Sequence, residues 1–295
     1  MKISVVIPTY NRLKKLKICL QHLEKQSLNK AQYDIWVVDD GSTDETKTFL
    51  KSWIKKDRYA LFQKNQGQGV ARNAALKKLK GEITLFIGDD IYVQKDFLKK
   101  HYEFHEFHPE LQEACLGLTE WDPNEEVTPF MHWMTHGGYQ FAYDKLKENQ
   151  KASFWHFYTS NLSLKTALLK KQNFNPSFKG YGWEDIEIAY RLEKEEGMSL
   201  RFTPAALAHH SHPLNENDLK RKMESLAKNG AVFEKLQPTI RVLPRGFKKL
   251  AFHLIGSRAS LWILKFFKKI SRKAQNGYWY ALSKRYFLEA SSLLK

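Results

Sequence analysis

Cysteine is scarce. Cys19 and Cys115 are the two in 295 residues, too few for a disulfide framework, and a reducing compartment is expected. Long apolar runs are missing as well: no stretch approaches the ~18–20 apolar residues of a membrane-spanning helix. The opening MKISVVIPTY passes straight into a strand-like run, without the apolar segment and cleavage site of a secretory signal, so the chain is expected to be cytoplasmic. There is no internal repeat and no low-complexity linker. Acids are outnumbered, 32 Asp and Glu against 48 Lys and Arg, for a formal net charge of +16. That excess is local. Residues 241–295 hold thirteen Lys and Arg and one acid, Glu289, and so carry twelve of the sixteen net charges. A nucleic-acid-binding protein acting through this basic tail is one reading, but the acid clusters of the remaining chain repel phosphate unless a metal intervenes.

What is present is a chain 42% hydrophobic, enough for a full core. Its first ninety residues alternate strands with helices: a strand over Ile3–Pro8, a helix over Leu13–Gln26, a strand over Tyr33–Asp40, and a helix capped by Ser42/Thr43 that runs to about Lys55. A short strand at Leu61-Phe62, a helix over Val70–Lys80 and a strand over Glu82–Gly88 follow. This alternation predicts parallel βαβ units in an open α/β sheet, whose ligands bind at the carboxyl ends of the strands. Pro8-Thr9-Tyr10, Asp39-Asp40 and Asp89-Asp90 all fall there. Residues 91–215 are less regular and rich in aromatics and histidine. A boundary is expected near 240, giving a domain over 1–240, with a nucleotide-binding half at 1–110 and an acceptor half at 111–240, and a basic helical tail over 241–295.

VVIPTYNR (5–12), VVDDGSTDET (37–46), GQGVARNAAL (67–76) and FIGDD (86–90), in this order and spacing, resemble the family 2 glycosyltransferases of the GT-A fold. The resemblance covers roughly residues 1–240. It implies a mostly parallel, Rossmann-like sheet flanked by helices, and an enzyme that uses a nucleotide-sugar donor, a UDP-sugar first of all. It also implies roles. Asp40 holds the nucleotide base, Pro8, Thr9 and Tyr10 line the nucleoside site, and Arg72 lies near base and phosphates. Asp89 faces the ribose, and Asp90 binds Mn²⁺ or Mg²⁺. The chemistry is coherent, because a carboxylate accepts the imide N–H of uracil and a divalent ion neutralises a leaving diphosphate. Gly88 departs from the pattern, since many relatives carry a third acid there. Plainer readings stand beside these: Asp39 or Asp40 as a turn cap, and Arg72 as a surface charge on a helix.

TSNLSLK (159–165), FKGYGWEDIEIAYRL (178–192) and ALAHHSHP (206–213) resemble the C-terminal half of galactosyltransferase-type and chondroitin-polymerase-type enzymes. That resemblance implies Asp185 as general base, Glu184 as a residue that binds or orients the acceptor, and His210, with His212 second, as metal ligand. It also implies Trp183 against a sugar face and Asn161 at the donor sugar. One carboxylate opposite the leaving group gives single displacement with inversion. The alternatives are an acidic N-terminal helix cap at Glu184-Asp185, loop histidines at 209–212 and a turn role for Asn161. His132 and His136 are read as structural and residues 154–158 as core or pocket wall.

In the tail, RASLWILKFFKKISRK (258–273) on a helix places Ala259, Ile263, Phe266, Phe267 and Ile270 on one side and Arg258, Lys265, Lys269 and Arg272 opposite. A basic amphipathic helix of this kind is expected to dock on an anionic membrane surface. The whole predicts an inverting, metal-dependent glycosyltransferase at the inner face of the cell membrane, acting on a glycan or lipid-linked acceptor in cell-surface polysaccharide synthesis. The rival from the same motifs is a catalytically inactive nucleotide-sugar-binding relative.

Overall fold

The computed structural model describes residues 1–137 and 139–293. Among the described residues nine strands form one sheet: β1 (Ile3–Thr9), β2 (Tyr33–Asp39), β3 (Arg58–Phe62), β4 (Ile83–Ile87), β5 (Ile91–Val93), β6 (Glu113–Trp121), β7 (Lys151–Ala152), β8 (Asn161–Lys165) and β9 (Ser199–His210). The helices are α1 (Leu13–Glu24), α2 (Thr46–Trp53), α3 (Gln68–Leu76), α4 (Phe97–Phe107), α5 (Pro129–His136), α6 (Thr166–Leu169), α7 (Glu184–Glu196), α8 (Glu216–Leu236), α9 (Gly246–Ile255), α10 (Arg258–Phe267) and α11 (Arg272–Ser292).

The β-branched runs of β1, β2 and β4 are buried on both faces, as central parallel strands must be. Side chains alternate along β1: Ile3, Val5 and Ile7 enter one apolar layer with Leu16, Leu20 and Leu50, while Val6 joins Phe86, Ala71 and Ala75 in the other. The strand order is β3-β2-β1-β4-β8-β6-β9-β5, with β7 also paired to β9. The β3, β2, β1 and β4 pairings are parallel, as the alternation predicts; β8 runs antiparallel to both β4 and β6.

The pairing of β6 with β9 shifts register between Gly117 and Leu118, so that Thr203 and Leu207 face consecutive residues of β6. The irregularity admits Pro204 and keeps Ala206, Ala208 and His210 on the buried side. Gly117 is required at the crossing, because a Cβ there would lie 2.2 Å from Asn161 Oδ1 and 2.5 Å from the Ala206 carbonyl oxygen. Gly117→Ala is expected to destabilise the protein by ~1–3 kcal/mol, the usual range for overpacking, read as a lower urea midpoint at unchanged m-value.

The chain divides into two compact units. The first is Met1–Val127, Gly138–Pro176 and Glu184–His212, and holds the sheet; the second is Thr128–Gly137, Ser177–Trp183 and Pro213–Lys295. In the second, α11 packs against α8, α9 and α10, and the buried Trp279 meets Phe130 at 5.3 Å and Trp133 at 5.7 Å. The boundary expected at 240 thus falls inside a unit: α8 groups with the tail helices because α11 covers it. The helix expected over 258–273 is also two elements, since α10 ends at Phe267 and α11 starts at Arg272. Both cysteines are free and buried. No single helix among the described residues is long and apolar enough to cross a membrane, while α9 and α10, bent by 46°, pass that test as a pair by length and composition.

Candidate active site

Apart from Trp183, the expected site residues belong to the first unit, and most sit at or just beyond its strand ends. At the end of β1, Thr9 Oγ1 donates to Asp89 Oδ2 (2.7 Å), while Tyr10 stands exposed at the rim. Asn11 follows in the left-handed region (φ 53°), which asparagine tolerates, and its Oδ1 accepts from Thr43 N at 2.7 Å. Ser42 Oγ accepts from Asn11 N at 2.9 Å, so the turns after β1 and β2 are laced together. Ser42 and Thr43 therefore do not cap a helix as expected. α2 starts at Thr46, whose N–H is taken by Asp44 Oδ1 at 3.0 Å. Asp39 does have the turn role, accepting from Ser42 N at 2.9 Å. Asp40 is buried and accepts from Gln63 Nε2 (2.6 Å), Gln66 N (3.0 Å) and Gly67 N (2.8 Å), fixing the loop that leads into α3.

Asp90, His210 and His212 come together from the β4–β5 turn and the end of β9, with one ligand atom of each within 4.8 Å of the others. His210 Nε2 lies 3.4 Å and His212 Nδ1 3.1 Å from Asp90 Oδ2, and the two imidazoles stack at 5.5 Å. His210 is further held by Trp121 (5.3 Å) and by Gln140 Nε2, 3.3 Å from its Nδ1, a contact of the kind that orients a ligating imidazole. Of the three histidines considered, His209 does not join the cluster; its Nδ1 meets Gln94 Nε2 at 3.4 Å. Two imidazoles and a carboxylate form a donor set that fits a divalent ion such as Mn²⁺, with positions left for phosphate oxygens or water. Gly88 leaves room for this arrangement, since a Cβ there would lie 2.8 Å from Asp90 Oδ1.

Arg12 was not singled out from sequence, although it closes the first quoted motif. Its Nη1 donates to Asp89 Oδ1 (2.9 Å) and Asp90 Oδ2 (2.7 Å), and its Nη2 lies 2.5 Å from His212 Nδ1. Burial pushes the Asp89 carboxyl up to about 6, with the Asp90 charge adding and Arg12 and Thr9 opposing. Burial acts on Asp90 in the same direction, but His210, His212 and Arg12 outweigh it and hold that carboxyl well below the usual range. The guanidinium lies where a divalent cation would compete for the same oxygens. Arg12→Gln is therefore expected to tighten Mn²⁺ binding about tenfold in calorimetric titration. That is a fraction of the ~4 kcal/mol that two charges exchange at 4 Å and an effective dielectric of ~20.

The second half of the site is built on α3 and α7. Arg72 is buried over the rings of Phe86 and Phe174, with Nη1 3.5 Å from Glu184 Oε1. Gln68 Nε2 also donates to that oxygen. Arg72 Nε and Nη1 and Glu184 Oε2 are buried without a hydrogen-bond partner, so the pair is only half satisfied. Asp185 lies deep beside it while keeping an accessible edge. Burial first, and the Glu184 charge second, push its carboxyl up to about 7. Both acids open α7, so the helix-end reading holds too, and Asp185 Oδ1 accepts from Ile186 N at 2.9 Å.

Two expected residues lie elsewhere. Asn161 is fully buried: its Oδ1 faces His101 Nε2 (2.9 Å) and its Nδ2 donates to the carbonyls of Leu118 (2.9 Å) and Ala206 (2.8 Å). With its amide saturated inside the sheet, it locks β8 to β6 and β9 and has no group left for a donor sugar. Trp183 falls in the second unit, where its indole donates to Leu226 O (2.8 Å) and packs on Phe233 (5.7 Å). Its φ of 75° is a strained value for a bulky residue; Gly180 and Gly182, also left-handed, precede it.

The model of the family described as glycosyl transferase family 2 matches residues 4–172. The chain belongs to this family. Among curated proteins, a poly(ribitol-phosphate) β-N-acetylglucosaminyltransferase, TarS of Staphylococcus aureus, is 38% identical over 111 residues, covering 37% of this chain and 19% of the relative. The matched segment thus spans about a fifth of that relative's length. The structure of residues 1–349 of S. aureus TarS in complex with UDP-GlcNAc matches with a TM-score of 0.57 at 19% identity, over 100% of this chain and 91% of that one. The mannosyltransferase PcManGT of Pyrobaculum calidifontis, in complex with GDP-Man and Mn²⁺, matches with a TM-score of 0.62 at 16% identity, over 99% of this chain and 86% of that one. The fold is GT-A, as the motifs predict.

Proposed function

We propose that the protein is an inverting, metal-dependent glycosyltransferase that moves a sugar from a nucleotide-sugar, a UDP-sugar first of all, to a hydroxyl of a glycan or lipid-linked acceptor in cell-surface polysaccharide synthesis. The observation that carries the reading is the Asp90, His210 and His212 cluster, built at strand ends of a family 2 fold. A relative that is an N-acetylglucosaminyltransferase, and neighbours bound to UDP-GlcNAc or to GDP-Man with Mn²⁺, support the donor class and the metal.

In this mechanism Asp40 receives the base, Thr9 and Tyr10 border the nucleoside, and Arg72 offers its unpaired N–H groups to the donor. Asp90, His210 and His212 would hold Mn²⁺ or Mg²⁺, which supplies Lewis-acid neutralisation of the leaving diphosphate. Asp185 takes the proton of the attacking hydroxyl as the new C–O bond forms, and Glu184, locked to Arg72 and Gln68, positions it. These roles make the C-terminal half galactosyltransferase-like and chondroitin-polymerase-like.

We place the enzyme in the cytoplasm at the inner face of the membrane. The exposed Trp262, Phe266 and Ile270, beside the charges of the tail, support that location. The test is a screen of UDP-, GDP-, dTDP- and CMP-sugars, each with Mn²⁺, Mg²⁺ or EDTA. Metal-dependent turnover of one UDP-sugar is expected; failure to bind any of the four donors overturns the proposal.

A further inference from the structure

The second unit contains an open cleft of about 580 Å³, whose lining includes Glu234, Lys235, Arg241, Arg245 and Lys249. Four cations face one carboxylate, and that carboxylate is already committed. Glu234 accepts from Val242 N and Leu243 N, both at 2.8 Å, and from Arg245 Nη2 at 2.5 Å. It shapes the turn and neutralises Arg245, leaving the other three cations uncompensated. Lys235, Arg241 and Lys249 have no acid within ion-pair distance among the described residues. The cleft also takes in Gly246, the first residue of α9, whose N-terminal end carries no side-chain cap from Arg245. Several uncompensated cations around one concavity call for a compact anion with several oxygens, which is the chemistry of a phosphate group.

The same helix then turns apolar outward. Phe247, Leu250 and Leu254 are 84%, 54% and 66% exposed, and their spacing puts them on one stripe of α9. Large apolar side chains aligned on a surface helix mark a contact surface. A basic cleft beside an apolar stripe on the same helix matches an amphiphile with an anionic head and apolar tails. We propose that this cleft receives the phosphate of an anionic lipid headgroup, with the α9 stripe entering the apolar boundary of the same leaflet. The assignment rests on the membrane reading above for the source of the phosphate, and not on the glycosyl-transfer chemistry.

The experiment is co-sedimentation of the full chain with vesicles of phosphatidylcholine, with and without phosphatidylglycerol, alongside calorimetric titration with inorganic phosphate. Arg241→Gln with Lys249→Gln is expected to weaken binding to the anionic vesicles about twenty-five-fold, at about fivefold per charge removed, and to abolish phosphate binding. Lys265→Gln with Lys269→Gln, which removes the same charge from α10 and the turn after it, outside the cleft, is expected to leave phosphate binding unchanged. Arg241 is exposed and Lys249 partly so, and neither is ion-paired, so circular dichroism is expected to report an intact fold. Equal loss of vesicle binding in both double variants with no phosphate binding would mean diffuse charge and overturn the site. Phosphate binding that the cleft variant abolishes, with vesicle binding unchanged, would overturn the lipid source. A wild-type chain that binds no vesicle at all removes the membrane reading as well, whereas cleft variants that bind vesicles normally remove only this inference.

Discussion

Replacing Asp185 by asparagine is expected to lower kcat by ~10²–10⁴-fold, the usual contribution of a positioned general base, while donor affinity stays within about twofold. The substitution keeps size and shape and removes only the proton acceptor. Two consequences separate this role from a structural one. First, the wild-type Asp185 carboxyl is pushed up to about 7, so the basic form accumulates only as pH rises through neutrality; kcat/KM is expected to fall as pH drops below 7. The residual activity of Asp185→Asn should lose that limb. Second, a carboxyl raised this far is held more easily neutral than charged in the folded state. Above pH 7 the neutral amide should be at least as stable as the wild type in thermal melts. A variant with near-normal turnover, or one that loses activity only by unfolding, removes Asp185 from the base role.

The second large effect is expected at Asp90. Its Oδ2 is the point shared by His210, His212 and Arg12, so Asp90→Asn removes the one anionic donor of the candidate metal cluster. Loss of Mn²⁺ binding in titration calorimetry is expected, with a fall in kcat of ~10³-fold or more, because neutralising the leaving diphosphate is worth several kcal/mol. The variant also leaves Arg12 beside one charge instead of two, so excess Mn²⁺ is not expected to restore activity fully. Activity that is unchanged in the variant and insensitive to EDTA in the wild type would remove metal from the mechanism. Arg12→Gln should move the metal affinity in the opposite direction, and the pair of variants tests the same few ångströms from both sides.

The donor half of this protein was legible in the sequence because its signals are local. A β-branched strand followed by an acid and a glycine turn means the same thing wherever it is read. Hence β1, β2 and β4, and the placing of Thr9, Asp40 and Asp90 at or beside their ends, were anticipated within a residue or two. What failed was long-range. Asn161 reads as a polar residue opening a strand, and nothing nearby reveals that Gly117 and Ala206 close around its amide. Trp183 adjoins the proposed base in sequence, yet with left-handed backbone at Gly180, Gly182 and Trp183 its indole meets Leu226 and Phe233 of the second unit. Arg12 closes the motif at 5–12 with no local sign of its role, because its partners, Asp89, Asp90 and His212, are some eighty to two hundred residues away.

By itself the sequence determined the family, the parallel α/β half, the identities of the acids at the strand ends and the location of the positive charge. Those follow from hydrophobic period, turn chemistry and composition, which act over a few residues. Only the tertiary structure decided which histidines meet Asp90, that Arg12 stands on the same carboxylates, that burial beside Glu184 raises Asp185, and that α8 joins the tail helices. The physical reason is that ligand sets, desolvation and helix packing depend on distances between residues far apart in the chain, which no local pattern encodes.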